Sequence, residues 1–310
     1  MAGELITQAA ADPAALLAED LWQRWLEFVD AKPATIATYA RAMRSFFGWL
    51  QAEEVQSPQR PHILMYRDSL RSRLKAASVQ TYMSAVRLFF RWTAQEGIYP
   101  DIADHVKGAR VGSEHKRDPL TSRQARLILE SIDRGALSGL RDYAMLALML
   151  TTGLRTVSVA AANVGDIRTA GDSTVLYYLG KGRDDKSEYV KLAEPVEEAI
   201  RAYLKARGRA GSKAPLFASV SNHNNGGRLT TRSISRIAKT AMQAAGYDSD
   251  RLTAHSLRHT AATLNLLNGG TIEETQQLLG HSSVTTTMIY AHALERAAND
   301  SEARIAGILF

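Results

Sequence analysis

Apolar residues recur at every third or fourth position through most of this chain, the spacing that gathers them on one side of an α-helix. Leu17, Leu21, Trp25 and Phe28 form one such stripe, and Tyr39, Met43, Phe46 and Leu50 form the next. A shorter third stretch carries Ile63, Leu70 and Leu74. A fourth carries Val79, Met83, Val86 and Phe90 and closes near Gly97, with Pro100 just beyond it. Four amphipathic helices therefore account for most of the first hundred residues, which predicts a small all-helical domain over 1–107.

The pattern lapses over 108–119, where Gly108, Gly112 and Pro119 are mixed with Arg110, Glu114, Lys116, Arg117 and Asp118, and this stretch reads as a linker. A second domain, 120–310, opens with Thr121 followed three residues later by Gln124, a capping-box signature for a helix running through Leu127 and Leu129. A more apolar helix over 143–152 stops at Gly153. The period then changes, and 173–179 and 188–192, rich in Val, Tyr and Leu around the polar turn 180–186, predict a β-hairpin. Helices are expected again over 194–206, 231–245, 255–268, 272–279 and 284–298. The fold class expected is mainly α in two domains, the first of four helices and the second α+β with a small antiparallel sheet.

Composition narrows the chemistry. With 310 residues, 45% of them hydrophobic, 23% charged and only 8 prolines, the chain is that of an ordinary globular protein. The absence of cysteine rules out a disulfide scaffold, thiol catalysis and Cys-ligated metal, and fits a reducing compartment. The first fifteen residues carry Glu4 and Asp12 and no Lys or Arg, unlike a secretory signal. No run approaches the roughly 20 apolar residues that cross a bilayer. The expected location is cytoplasmic, with no membrane partner. Most of the net charge of +6 lies beyond residue 110, which favours a polyanionic partner for the second domain.

Four segments of that domain hold candidate chemistry. In His255-Ser256-Leu257-Arg258, helical spacing brings an imidazole and a guanidinium to one side, a pair suited to a phosphate. The same residues also describe a helix-start histidine beside an exposed arginine. In Thr151-Thr152-Gly153-Leu154-Arg155 a helix breaks at glycine and an arginine follows, either held beside the core or solvating the next helix. Gly180-Lys181-Gly182 puts a lysine on a hairpin tip between glycines, which allows close approach to a ligand, although most such lysines are solvated. It is no nucleotide phosphate loop, since Gly-x-x-x-x-Gly-Lys-Ser/Thr is absent. Gly280-His281-Ser282-Ser283 precedes a helix presenting Tyr290, a residue that is otherwise at home in a core.

Taken in order, Arg155, Lys181, His255-x-x-Arg258, Gly280-His281 and Tyr290 resemble the catalytic domain of the tyrosine recombinase (phage integrase) family in its short Xer/integrase-like form. The stretch 255–292 is similar to that family's C-terminal box, and the first domain resembles its core-binding, SAM-like domain. The resemblance implies that Tyr290 is a nucleophile giving a 3′-phosphotyrosyl link and that Arg155 and Arg258 stabilise the transition state. It implies that His255 helps remove the phenol proton, that Lys181 protonates the leaving 5′-oxygen, and that His281 binds a phosphate oxygen. One position departs from the pattern: the family usually has Glu or Asp three residues after the first arginine, and here Ser158 stands there. Asp166, in Asn163-Val164-Gly165-Asp166-Ile167, looks family-like and is not expected to replace that acid. The support of Arg155 is thus left open.

On this resemblance the chain is expected to be a site-specific recombinase on double-stranded DNA carrying a specific recombination site, integrating or excising a mobile element or resolving replicon dimers. Two arginines and a lysine take the place of a metal, so neither cofactor nor metal ion is expected. The expected assembly is a homo-tetramer on DNA, with an accessory DNA-bending or directionality protein as a further partner. The apolar end Ile305-Ala306-Gly307-Ile308-Leu309-Phe310 either docks in a neighbouring subunit or folds back on its own domain. The alternatives are cleavage and rejoining without strand exchange, as in type IB topoisomerases, and a DNA-binding regulator that has lost catalysis.

Overall fold

The computed structural model describes residues 19–110, 117–180, 183–281, 283–297 and 299–310. The chain divides into two compact units, Met1–Glu114 and His115–Phe310.

The first unit is built on α1 (Glu19–Phe28), α2 (Pro33–Ala52), α3 (Arg60–Arg71) and α4 (Ala76–Gln95). Pro33 starts α2, where its missing N–H costs no hydrogen bond. Of the predicted stripe residues, Phe28 is exposed, Leu74 lies beyond the end of α3, and Leu17 is outside the described residues. Most of the stripe residues meet in one core in which Trp25, Met43, Phe46, Tyr66 and Phe90 are fully buried. Their rings interlock edge to face: Phe46 lies 5.0 Å from Tyr66 and 5.8 Å from Phe90, and Trp25 lies 5.7 Å from Phe89. The Tyr66 hydroxyl donates to Ser45 Oγ at 3.1 Å, and burial pushes its pKa up to about 12.

The stretch that the sequence marks as a linker is tied down near each end. On the first unit, Arg87 donates to the Val106 carbonyl at 2.8 Å, and Arg71 to that of Gly108 at 3.2 Å. On the second, Asp118 takes both prongs of Arg251 at 2.7 Å, and the Leu120 N–H donates to Thr260 Oγ1 at 2.8 Å.

In the second unit the Thr121–Gln124 capping box forms as expected, each residue bonding the other's backbone N–H, and opens α5 (Ser122–Glu130). The next helix, α6 (Leu137–Thr152), begins six residues before the apolar run at 143, because its first turns are polar. From Ala144 to Leu150 every residue is buried, so α6 is the axle of this unit, packed on α8 (Glu194–Arg207) and α10 (Ala254–Leu267). Between α6 and α8 come α7 (Thr156–Ala161), a 3-10 turn at Val164–Asp166, and the sheet.

The predicted hairpin is present as β2 (Ser173–Tyr178) and β3 (Glu188–Lys191), in a register that sets Tyr178 opposite Glu188. A third strand, β1 (Ile167–Ala170), pairs antiparallel with β2 and was not read from the sequence, since its four residues show no apolar alternation. The remaining helices are α9 (Thr231–Ala244), α11 (Ile272–Leu279), α12 (Val284–Ala297) and α13 (Ser301–Leu309). The apolar end of the chain is therefore helical, and α13 has no buried residue.

Deleting the ring at the centre of the first core tests this packing. Phe46→Ala is expected to cost about 3–5 kcal/mol. All four tryptophans lie in the first unit, so their fluorescence isolates its denaturation midpoint. An unchanged midpoint would remove Phe46 from the core.

Candidate active site

The site is organised around a buried guanidinium. Arg258, in the first turns of α10, is 3% exposed and donates to two backbone carbonyls at 2.6 Å, those of Gly153 and Leu279. Each carbonyl belongs to a helix end whose last groups lack intrahelical partners, so Arg258 joins the end of α6 to the end of α11. Gly153 is required by conformation and by space. Its φ is +63°, and a Cβ there would stand 2.5 Å from Leu279 Cδ2.

That turn delivers Arg155 to the start of α7, half-buried and close enough to Arg258 for the two charges to act on one another. Burial, and then the neighbouring Arg155, push Arg258 down to about 10, while the phenols of Tyr290 and Tyr178 act in the opposite sense. Among the described residues, no carboxylate is among the groups acting on Arg258. Its bonds to neutral carbonyls leave its positive charge uncompensated, which suits an anionic ligand.

Tyr290 projects from α12 into this region and is 6% exposed. Burial raises its pKa above the ordinary phenol value, and Arg258 and Arg155 oppose that rise. The structure thus brings Arg155, Arg258 and Tyr290 together. His281 follows the left-handed Gly280 that ends α11, two residues beyond the carbonyl held by Arg258. Its Nδ1 lies 2.9 Å from the hydroxyl of the fully buried Thr287, which fixes the ring against α12.

His255 is exposed at the start of α10, and its ring stands against His259 at 4.7 Å and 81°. His259, one turn on and 7% exposed, lies 5.2 Å from the ring of Tyr290. It is therefore His259 that lies against the phenol ring, a histidine that the sequence reading did not single out. The available signal was its i+4 spacing from His255. Lys181 and its neighbour Gly182 lie outside the described residues.

Tyr178 was also missed, because in sequence it is one more tyrosine of a strand. It ends β2, with a hydroxyl bonded to Glu188 and placed so that a Cβ on Gly280 would stand 2.8 Å from it. Burial and then the Glu188 carboxylate raise its pKa to about 12. The two positions left open by the sequence are placed as follows. Ser158 is buried on α7, and its hydroxyl donates to the Leu179 carbonyl at 2.8 Å. Asp166 accepts from the Asn163 N–H at 2.6 Å and from Lys186 Nζ at 2.5 Å.

Comparison with known proteins bears on the family and the fold. The profile of the phage integrase family matches residues 119–296, and that of the phage integrase N-terminal SAM-like domain matches residues 21–97. The tyrosine recombinase XerD of Corynebacterium glutamicum is 30% identical over 271 residues, covering 83% of this chain and 87% of that protein. The tyrosine recombinase XerC of Corynebacterium efficiens is 38% identical over 153 residues, covering 49% of this chain and 46% of the other. The fold is similar to that of the XerH site-specific recombinase in a post-cleavage complex with a palindromic difH substrate. Its TM-score is 0.72 at 21% identity, over 90% of this chain and 83% of that one.

The buried phenol of Tyr178 makes a pH prediction. Its pKa is raised from 10.0 to about 12, so the stability held in the neutral form is complete below pH 10 and lost as pH rises towards 12. Over that window the denaturation midpoint of the second unit is expected to fall more steeply in the parent than in Tyr178→Phe. Equal slopes would show that the fold does not hold this phenol neutral.

Proposed function

This chain belongs to the phage integrase family of tyrosine recombinases, and from that premise we propose that it cuts and rejoins duplex DNA at a specific site through a 3′-phosphotyrosyl intermediate. The observation that carries the reading is the buried phenol of Tyr290 lying in the field of two guanidiniums, Arg258 and Arg155. A phosphodiester seated there would supply the anion that this pair lacks.

The chemistry follows from the groups present. The Tyr290 oxygen attacks the scissile phosphorus, the phenol proton leaves with the help of His255, and the bond to the 5′-oxygen breaks. Burial disfavours a free phenolate, so proton loss accompanies attack rather than preceding it. Arg155 and Arg258 stabilise the added negative charge of the phosphorane-like transition state as preorganised donors. His281, steadied by Thr287, bonds a phosphate oxygen. Lys181 gives its proton to the departing 5′-oxygen, which leaves as a hydroxyl. The bond energy stays in the phosphotyrosyl link, and attack on it by a 5′-hydroxyl of another strand completes an exchange without ATP.

Strand exchange needs more than one active site, and α13 supports an assembly. Ile308 is 86% exposed and Leu309 68%, an apolar surface that water disfavours on a lone chain. We assign it to docking on a second copy within a homo-tetramer on DNA, with an accessory DNA-bending or directionality protein as a further partner. No described helix is long and apolar enough to cross a membrane, and we place the protein in the cytoplasm with its DNA.

Two outcomes are expected. Tyr290→Phe, mixed with fragmented genomic DNA from the source organism and denatured in detergent, should yield no covalent adduct while still binding DNA. Adducts surviving in that variant would remove Tyr290 as the nucleophile. Deleting 305–310 should impair assembly on paired sites more than binding to one site, and unchanged tetramer formation would refute docking in trans.

A further inference from the structure

The β2–β3 connection that carries Lys181 is held at both feet by the short helix that Arg155 begins. At one foot the Ser158 hydroxyl, 2% exposed in α7, donates to the Leu179 carbonyl at 2.8 Å, one residue beyond the last ladder pair of β2. At the other foot Lys186 Nζ donates to the Ala161 carbonyl at 2.7 Å and pairs with Asp166 at 2.5 Å. Arg228 takes the flanking carbonyls of Ala160 and Ala162 at 2.6 and 3.0 Å, so the end of α7 cannot shift without breaking several charge-assisted bonds.

The residue type at position 158 matters here. A hydroxyl donates to the Leu179 carbonyl, whereas a carboxylate in the same place has no proton to offer and would face an acceptor with an acceptor. The family's usual acid is thus replaced by a group aimed at the hairpin. Arg155 is the N-cap of the same short helix, so one segment carries both the arginine and the fastening of the hairpin.

We propose that Ser158 and Lys186 are positioning residues that fix the β2–β3 connection relative to Arg155, so that the acid on the hairpin meets the leaving oxygen. This rests on the proposed function, in which Lys181 protonates the 5′-oxygen. The role acts at leaving-group protonation, and not on the nucleophile or on the stabilisation of phosphate charge.

The test is single-turnover cleavage of two synthetic duplexes carrying the captured site. One is ordinary DNA, and the other has sulfur in place of the 5′-bridging oxygen at the scissile phosphate. A thiolate leaves without a proton, so the sulfur duplex bypasses the acid. Ser158→Ala and Lys186→Met are expected to slow the ordinary duplex about tenfold or more, a share of the roughly 10²–10⁴-fold typical of acid–base catalysis. Both should cleave the sulfur duplex within about twofold of the parent, and Ser158→Thr, which keeps the hydroxyl, should recover the ordinary rate. Equal slowing of Ser158→Ala on both duplexes, or none on either, would overturn the proposal. Lys181→Met separates this from failure of the underlying reading. If that variant is slowed equally on both duplexes, the acid assignment falls, whereas rescue of Lys181→Met without rescue of Ser158→Ala refutes the positioning role alone.

Discussion

The candidate active site depends on one buried cation held by neutral partners. Arg258 is removed from water and bonded to the carbonyls at the ends of α6 and α11, and those bonds offset only part of the cost of burying its charge. Replacing it would leave two buried carbonyls without their donors and loosen two helix ends at once. The same guanidinium faces Arg155 and the Tyr290 phenol, so the group that holds the site together is also one that a phosphate would meet. The arrangement is electrostatically incomplete by itself, with two like charges set close together. On the proposed function, a phosphodiester seated there would relieve that repulsion, and the negative charge added on the way to the transition state would relieve it further.

Around this centre, glycines and carbonyls do as much as charged side chains. Gly153 turns left-handed so that α6 can end and Arg155 can follow two residues later, within electrostatic reach of Arg258 on α10. Gly280 does the same for α11, and its bare Cα admits the Tyr178 hydroxyl and the Glu188 carboxylate from the sheet. The small sheet is therefore part of the site's wall. Tyr178 is buried there between a carboxylate and two arginines, and Gly180, Glu188 and Arg183 continue the contact towards the hairpin tip.

The departure at Ser158 is explained by what surrounds it. A buried hydroxyl at the third residue of α7 satisfies a strand-end carbonyl, and the ion pair of Asp166 with Lys186 closes the other side of the same loop. The role left vacant by the acid is not taken by Asp166, whose carboxylate is engaged with the Asn163 N–H and Lys186.

Local pattern alone determined much of this protein. The helices of the first unit, the Thr121–Gln124 capping box and the hairpin strands are set largely by interactions between residues close in sequence, and among the described residues they are found close to where the period or the cap predicts them, Phe28 and Leu74 apart. The set Arg155, Lys181, His255-x-x-Arg258, His281 and Tyr290 was legible only as an order that resembles a family, since each segment alone also has an ordinary structural reading. Tertiary structure decided what the pattern could not carry. It added β1, which has no alternation to read, and the early start of α6, whose polar first turns are covered by neighbours rather than by their own periodicity. It set His259, rather than His255, against the Tyr290 ring, and it aimed Ser158 at the hairpin. The last two outcomes depend on contacts between residues 31 and 21 positions apart, which form only when the elements pack.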